Sequence, residues 1–431
     1  MFDILILPLC LILFAYLAFQ KWSALLIGPM VTIVLIILAK LPLFDTMLGP
    51  YMASAAGYFQ KFYLVFLVGA LFGAVYKETK GAEAIAHAIV KLTKGKFAAP
   101  LVMTITGLLT FGGISGFVIF FAMFPITLEL FRRSNITRRL IPAAISAGCW
   151  TWSMNSPGSP AIQNIIPMRY LGTSSLAAPL TGAIAGIIQY VLIFIWLEWR
   201  TRKLKEKGEG FDDTDLPNKS DKVEYTASHL PNPILAVIPP ILILVLFNIF
   251  KLPVEGAVII GTLVAIALLW KHGKNFENWI QILNKGGIDS TLAILNTALV
   301  VGFAGAVRVT PGFAKIIEGL KNYNLPPLLF VAITVAIAAG AAGSASGGLG
   351  AAFEALKSTY IAMGVSMENV HRVAAIAAGT LDTLPHQGAQ ITLLAITGMT
   401  HKQAYFDIAI TQIVIPLIAL TFILPLMALG L

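Results

Sequence analysis

The chain has 431 residues, 57% of them hydrophobic and 12% charged, with a mean hydropathy of +0.83. Soluble domains have roughly 25% charged residues, so this composition excludes an ordinary soluble protein and indicates an integral membrane protein. The net charge of +9 does not indicate a nucleic-acid partner, because the basic residues are concentrated in short loops beside apolar segments. Two cysteines are too few for a disulfide framework or a metal cluster.

Apolar runs long enough to cross a hydrocarbon core of about 30 Å as helices recur from end to end. They lack the alternation of apolar and polar residues that barrel strands show, which predicts an all-α polytopic membrane protein. About ten transmembrane helices are predicted, at residues 2–20, 22–40, 58–76, 140–168, 173–199, 232–250, 253–271, 289–307, 373–399 and 403–430.

Two further apolar stretches, residues 97–131 and 325–356, are interrupted in the middle by glycine-rich runs. The interruptions are GGISG (Gly112–Gly116) and GAAGSASGG (Gly340–Gly348). Each arm has about 15 residues, which is short for a full crossing. Both stretches are therefore predicted to be re-entrant helical hairpins.

The only long polar segment, residues 200–231, is predicted to be a cytoplasmic linker between two halves. The start, the hairpin break and the polar run inside a span all recur about 230 residues later, which predicts two inverted repeats. The first repeat is 1–199, with scaffold helices 1–76, hairpin 97–131 and broken helix 140–168. The second is 232–431, with scaffold helices 232–307, hairpin 325–356 and broken helix 373–399. Segments 80–95 and 272–288 are predicted as equivalent helices at the cytoplasmic interface.

Basic residues predict the orientation. With the N-terminus outside, about 21 of the 30 Lys and Arg residues fall on one face, and Arg372 is among the minority on the other. The positive-inside rule then places both termini outside a bacterial inner membrane. His371 and His401 lie at span ends and are predicted to be solvated.

Polar residues interrupt four of the apolar elements. Besides the two glycine-rich runs, they are NSPGSP (Asn155–Pro160) and LDTLPHQGAQ (Leu381–Gln390). Unwound main chain survives at bilayer depth only where protein encloses it or where it lines a cavity, so the four interruptions predict a shared central site. Helix N-termini at these interruptions favour an anion. No Lys or Arg lies in the central portions, so helix dipoles, Ser and Asn donors and His386 are expected to neutralise a carboxylate.

These interruptions supply the predicted site residues. For substrate binding they are Gly113, Ser115, Asn155, Ser156, Gly158, Ser159, Ser344, Ser346, Thr383, His386 and Gln387. Asp382 and His386 are predicted to couple transport to a proton, since intramembrane ionisable residues mark ion pathways. Sodium is the alternative, because hard cations take oxygen ligands. No cofactor is predicted.

Other interpretations remain open. Small residues in membrane helices also serve close packing, and paired prolines also kink helices. GISG resembles the Gly-x-Ser-Gly of an intramembrane serine protease, with Ser115 as nucleophile and His386 as base. A channel would conduct without saturation, whereas a carrier saturates.

The runs NSPGSPAIQNI (Asn155–Ile165), GSASGG and LDTLPHQGAQITLLAITGMTHKQA resemble the gluconate permease (GntP) family of bacterial proton symporters, within the wider ion-transporter superfamily. The resemblance covers nearly the whole chain. It implies secondary active uptake of an organic anion through an elevator movement, in a homodimer.

The TLPHQG and GMTHKQAYFD portions look most like 3-hydroxybutyrate permeases. The sugar-acid permeases tend to have an acidic residue in the first hairpin and a His before the fifth-span Pro-Gly, where this chain has Ile114-Ser115 and Trp152-Ser153. A small hydroxy monocarboxylate is therefore favoured over gluconate.

Overall fold

The computed structural model describes residues 2–20, 22–111, 116–159, 161–212, 230–250, 252–273, 276–321 and 325–430. All regular secondary structure in these ranges is helical, and none of it is strand. The prediction of an all-α protein is confirmed.

The first half of the chain forms helices α1 to α11. Their bounds are α1 Phe2–Phe19, α2 Ala24–Leu38, α3 Leu43–Thr46, α4 Met52–Glu78, α5 Gly81–Thr93, α6 Ala98–Phe111, α7 Gly116–Arg133, α8 Ile141–Trp150, α9 Trp152–Asn155, α10 Ile162–Leu171 and α11 Pro179–Glu206. A π-helical turn, Met47–Tyr51, joins α3 to α4.

The second half forms helices α12 to α21. Their bounds are α12 Pro233–Asn248, α13 Val254–Leu268, α14 Phe276–Arg308, α15 Pro311–Lys321, α16 Pro327–Ala342, α17 Ala345–Ala362, α18 Met367–Leu381, α19 Gly388–Thr397, α20 His401–Ala409 and α21 Ile415–Ala428. A π-helical turn, Ile410–Val414, joins α20 to α21.

Contacts between helices recur across the two halves. In the first half α6 packs on α8, and in the second half α16 packs on α18. Helix α1 packs on α15, while α12 packs on α5. Two further pairs join equivalent helices directly, α4 with α14 and α11 with α21.

Two helical stretches in the described part are individually long and apolar enough to cross a membrane, Pro179–Glu206 and His401–Ala428. The bent helix pair Leu43–Gln60 and Phe62–Glu78 is also long and apolar enough to cross a membrane when both parts are taken as one span. The other apolar helices have 10–17 residues, and at 1.5 Å per residue they rise less than the roughly 30 Å of a hydrocarbon core. Large apolar side chains such as Ile12, Ile187 and Leu263 are exposed, as they are on a lipid-facing surface.

The prediction of a separate interfacial helix at residues 272–288 is wrong. Residues from Phe276 onward continue without a break to Arg308 as α14. Gly286 lies so close to the main chain of Ala70 and Leu71 that a Cβ would meet both, so the polar-looking stretch is helical because it packs on α4. The helix that follows α14 and precedes the second hairpin, as α5 precedes the first, is α15.

The predicted linker begins later than residue 200, because α11 continues to Glu206. The next residues turn back onto the connection between α7 and α8. There Glu209 pairs with Arg139 at 2.9 Å, and the amide of Phe211 donates to Asn135 Oδ1 at 2.9 Å. The start of this segment is thus fixed to the end of the first hairpin.

We expect Gly348→Ala to destabilise the second hairpin. A Cβ at Gly348 would lie 2.2 Å from Ala339 Cα in the facing arm, and overpacking of this kind costs about 1–3 kcal/mol. Gly350→Ala is the matched control, because a Cβ there has open space within the same helix. Thermal unfolding of the purified chain, followed with a thiol-reactive dye that detects exposure of buried Cys10 and Cys149, measures the difference. Equal unfolding temperatures for both variants would contradict the packing of the two arms.

Candidate functional site

The second hairpin turns at Gly343 and Ser344. Gly343 has a left-handed backbone with φ of +55°, and Ser344 caps α17 by accepting the amide of Gly347 at 3.2 Å. Ser344 and Ser346 are half-buried, with their hydroxyl oxygens 3.3 Å apart. Both predicted serines therefore lie at one turn and next to each other.

The second broken helix is unwound at residues 382–387, between α18 and α19; we call this break 2. The carboxylate of Asp382 is buried, and accepts from Thr383 Oγ1 at 3.1 Å and from Gln387 Nε2 at 2.8 Å. It also accepts the main-chain amide of Ala345, the first residue of α17. Asp382 therefore joins break 2 to the turn of the second hairpin.

His386 joins the same two elements a second time. Its Nε2 donates to the carbonyl of Gly340 at 2.8 Å, because a carbonyl can only accept. Its ring packs against Phe14 and Phe303, with centroids at 5.7 and 6.2 Å. The predicted residues Asp382, Thr383, His386 and Gln387 are thus brought together with the second hairpin.

Helix α20 supports break 2 from the other side. His401 Nε2 donates to the carbonyl of Pro385 at 2.9 Å, and the Tyr405 hydroxyl donates to the carbonyl of Thr383 at 3.0 Å. The prediction that His401 is solvated is wrong, because its ring is needed to pair a carbonyl that the unwound helix exposes.

The first broken helix is interrupted in two steps. Thr151, with φ of −119° and ψ of −113°, separates α8 from the single turn α9. Among the described residues, 156–159 and 161 then lie between α9 and α10; we call this second interruption break 1. Gly158 has φ of +81°, and its amide donates to the carbonyl of Ser175 at 2.8 Å.

The predicted residues of break 1 have different surroundings. Asn155 is buried and pairs through its side-chain amide with Gln189 of α11, at 3.3 Å in both directions. Ser159 is buried, whereas Ser156 and Gly158 are half-buried. Ser156 and Gly158 therefore carry the accessible polar groups of this break.

Arg372 contradicts the expectation that no cation approaches the interruptions. It is fully buried near the start of α18 and donates to the carbonyls of Asn155 (2.5 Å), Ala177 (2.8 and 3.1 Å) and Ser175 (3.3 Å). It also donates to Asn164 Oδ1 at 3.2 Å. In the sequence Arg372 stands at the end of a predicted span, where basic residues usually belong to loops. In the structure its side chain donates to carbonyls in the first half of the chain.

His371 is also buried, and not solvated as predicted. Its Nε2 donates to Asn164 Oδ1 at 2.7 Å, because that oxygen can only accept, and its Nδ1 then accepts the Thr173 hydroxyl at 2.7 Å. The Asn164 amide nitrogen donates to the carbonyls of Ser159 and Ser175. Neither Asn164 nor His371 was predicted, although an adjacent His and Arg beside a span could have indicated the cluster.

The two broken helices meet near their interruptions. Gly379, three residues before Asp382, lies against Met154 and the carbonyl of Trp150. The first hairpin approaches the same region, since Gly107 packs on Trp152 and Gly116 on Trp150. Gly113 and Ser115, the predicted residues at its turn, lie outside the described residues.

The site therefore combines two kinds of chemistry. Break 2 offers a buried carboxylate and neutral donors, which suit a proton or a cation with oxygen ligands. Break 1 offers the half-buried hydroxyl of Ser156 beside a buried guanidinium.

Comparison with known proteins identifies two similar bacterial proteins. YxjC of Bacillus subtilis (strain 168), described as an uncharacterized transporter, is 34% identical over 458 aligned positions that cover 95% of this chain and 96% of that protein. A protein of Haemophilus influenzae (strain ATCC 51907 / DSM 11121 / KW20 / Rd), also described as an uncharacterized transporter, is 25% identical over 331 positions, or 74% of each chain. No model of a known protein family matches the sequence.

We expect Gly343→Ala to destabilise the contact between the second hairpin and break 2. A Cβ there would lie 2.7 Å from His386 Cδ2, so the ring must leave the carbonyl of Gly340. Gly364→Ala is the control, because its φ of +69° imposes the same left-handed strain, about 1–2 kcal/mol, in open space. The thiol-exposure measurement should give a lower unfolding temperature for the Gly343 variant. Equal values would show that the His386 contact contributes nothing beyond backbone strain.

Proposed function

This chain belongs to the family of bacterial transporters that contains YxjC, and we propose that it is a secondary active transporter that imports a small hydroxy monocarboxylate by cation symport. The observation that carries this proposal is the buried Asp382 carboxylate, held at break 2 by the amide of Ala345 in the second hairpin. An acid at the C-terminal end of α18 opposes the helix dipole. The stability of α18 therefore does not explain Asp382.

The proposed architecture has two inverted repeats in the inner membrane, with both termini outside. The recurring order of helices and the exchanged contacts, α1 with α15 and α12 with α5, support it. The helices before each hairpin form the scaffold. The hairpins and broken helices move against it in an elevator movement, and the transporter is a homodimer.

Asp382 is proposed to couple the cation to the substrate. When the coupling cation binds the Asp382 carboxylate, the charge changes at the contact between break 2 and the second hairpin. Gln387 and the amide of Ala345 donate to the same carboxylate. A ligand shifts a conformational equilibrium only by its differential interaction with the two states. Neutralisation of Asp382 supplies such a difference, and the proton is the coupling ion that we favour over sodium.

The substrate assignment rests on the resemblance to the GntP family and to 3-hydroxybutyrate permeases. Ser156, Ser344 and Ser346 are half-buried hydroxyls that can bind a hydroxy acid. Gluconate or another sugar acid is the alternative substrate.

We expect saturable uptake of labelled 3-hydroxybutyrate into proteoliposomes that contain the purified chain. A pH gradient and a sodium gradient are imposed separately, with gluconate and lactate as the comparison substrates. Uptake should follow the pH gradient and prefer 3-hydroxybutyrate, because the site offers few polar groups for a polyhydroxy chain. A flux that rises linearly with concentration would indicate a channel, and no saturable uptake of any hydroxy acid would contradict the proposal.

We expect Asp382→Asn to abolish accumulation against a gradient while substrate exchange across the membrane continues. The amide keeps the shape of the side chain but cannot bind a proton, so the accumulation ratio should fall to about one. Counterflow of labelled substrate measures the exchange. Asp45→Asn, at an exposed carboxylate, is the control. Gradient-driven accumulation by the Asp382 variant would assign coupling to another residue.

A further inference from the structure

Arg372 carries a charge that no acidic side chain neutralises in the part of the chain that the structure describes. Its hydrogen bonds go to main-chain carbonyls and to one side-chain amide oxygen. The acid one turn earlier in α18, Glu368, is exposed and accepts the amide of Ala178. A buried charge is costly unless it is paired. The unpaired charge of Arg372 therefore requires an explanation.

Arg372 cannot bind a ligand directly in this arrangement. A guanidinium has five N–H donors. Nε donates to Ala177, Nη1 to Asn155 and Asn164, and Nη2 to Ser175 and Ala177, so all five donors are used. Any effect of Arg372 on a ligand must act through its charge and through the main chain that it holds.

Break 2 shows that holding an interruption does not require an arginine, because its carbonyls at Pro385 and Thr383 accept from the His401 ring and the Tyr405 hydroxyl. The residues that occupy the equivalent positions are uncharged too. Helices α10 and α19 begin at Ile162 and Gly388, 226 residues apart, so Ser146 and Gln390 are equivalent to Arg372 and Asn164. There Gln390 donates to Gln412 at 2.6 Å, and Gln412 donates to Ser146 at 2.5 Å. This network is neutral, so the charge of Arg372 has a role besides support.

The buried charges at the two interruptions are opposite in sign, whereas the exposed guanidinium of Arg308 lies beside Gly347 in the second hairpin. Asp382 lies at break 2, and by the same displacement its equivalent at break 1 is the neutral Ser156. Arg372 lies near the start of α18, and Asp382 directly follows its last residue, Leu381. One helix thus places a positive charge beside break 1 and a negative charge at break 2.

We infer that break 1 holds the carboxylate group of the substrate, and that Arg372 is the positioning residue whose charge makes the site prefer an anion to a neutral molecule. This inference rests on the proposed function and assigns the substrate anion to one of the two interruptions. The half-buried Ser156 donates its hydroxyl to the anion, because it directly follows Asn155, whose carbonyl Arg372 holds.

The test compares how the purified full chain binds 3-hydroxybutyrate and its neutral analogue, 3-hydroxybutyramide. The concentration of each compound that is needed to raise the unfolding temperature measures its binding. The wild-type chain should prefer the acid. Arg372→Gln should lower that preference about tenfold or more, since only the acid interacts with the lost charge. Arg372→Lys keeps the charge and should keep the preference. Tyr405→Phe removes a neutral hydrogen bond that holds break 2 and should also keep the preference.

Asn164→Asp is a second neutralising variant, should Arg372→Gln fail to fold. It places a carboxylate at the oxygen that already accepts from Arg372, and it should lower the preference as well. If Arg372 had a purely structural role, its loss would weaken binding of the acid and of the amide equally. An unchanged preference for the acid in both neutralising variants would therefore overturn this inference and leave the proposed function standing. Equal binding of acid and amide by the wild-type chain would overturn the inference and the proposed anionic substrate together.

Discussion

The main-chain groups that the interrupted helices expose are the constraint on which the rest of this structure depends. Hydrocarbon offers such groups no water, so each must find a partner within the protein. Arg372 of the second half pairs the carbonyls of Asn155, Ser175 and Ala177 in the first half. His401 and Tyr405 pair carbonyls of break 2. Break 1 therefore cannot be completed until both halves of the chain pack together.

The sequence predicted where the interruptions lie, because Pro, Gly and polar residues stand out inside apolar runs. It predicted the all-α fold because the long apolar runs lack the alternation of apolar and polar residues that barrel strands show. Asp382, Thr383, His386 and Gln387 are adjacent in sequence, and the structure brings them to the second hairpin. The inverted repeats and the roles of these residues stay predictions. The recurring helix order supports the repeats.

The sequence did not reveal the partners that hold the interruptions. Arg372 and Asn155 are 217 residues apart, and an Arg at the end of an apolar run looks like a loop cation that fixes orientation. His401 was misassigned for the same reason. The prediction of a separate helix at residues 272–288 was wrong because the polar composition suggested a position at the membrane surface. In the structure Gly286 allows this part of α14 to pack closely on α4. In each case a contact with a distant helix decides the structure.

The kinds of contact around the site are suited to a moving carrier. Hydrogen bonds that hold the two interruptions run among the hairpins, the broken helices and the helices packed on them, α11 and α20. Contacts with the proposed scaffold are made by aromatic rings, with Phe14 and Phe303 against His386 and Phe19 against His401 and Tyr405. Ring contacts contribute about 0.5–1.5 kcal/mol each and can form again in a shifted position, whereas a buried polar group left without its partner costs more. In the proposed elevator movement, a site that moves as one body keeps this polar network intact and exchanges these weaker ring contacts.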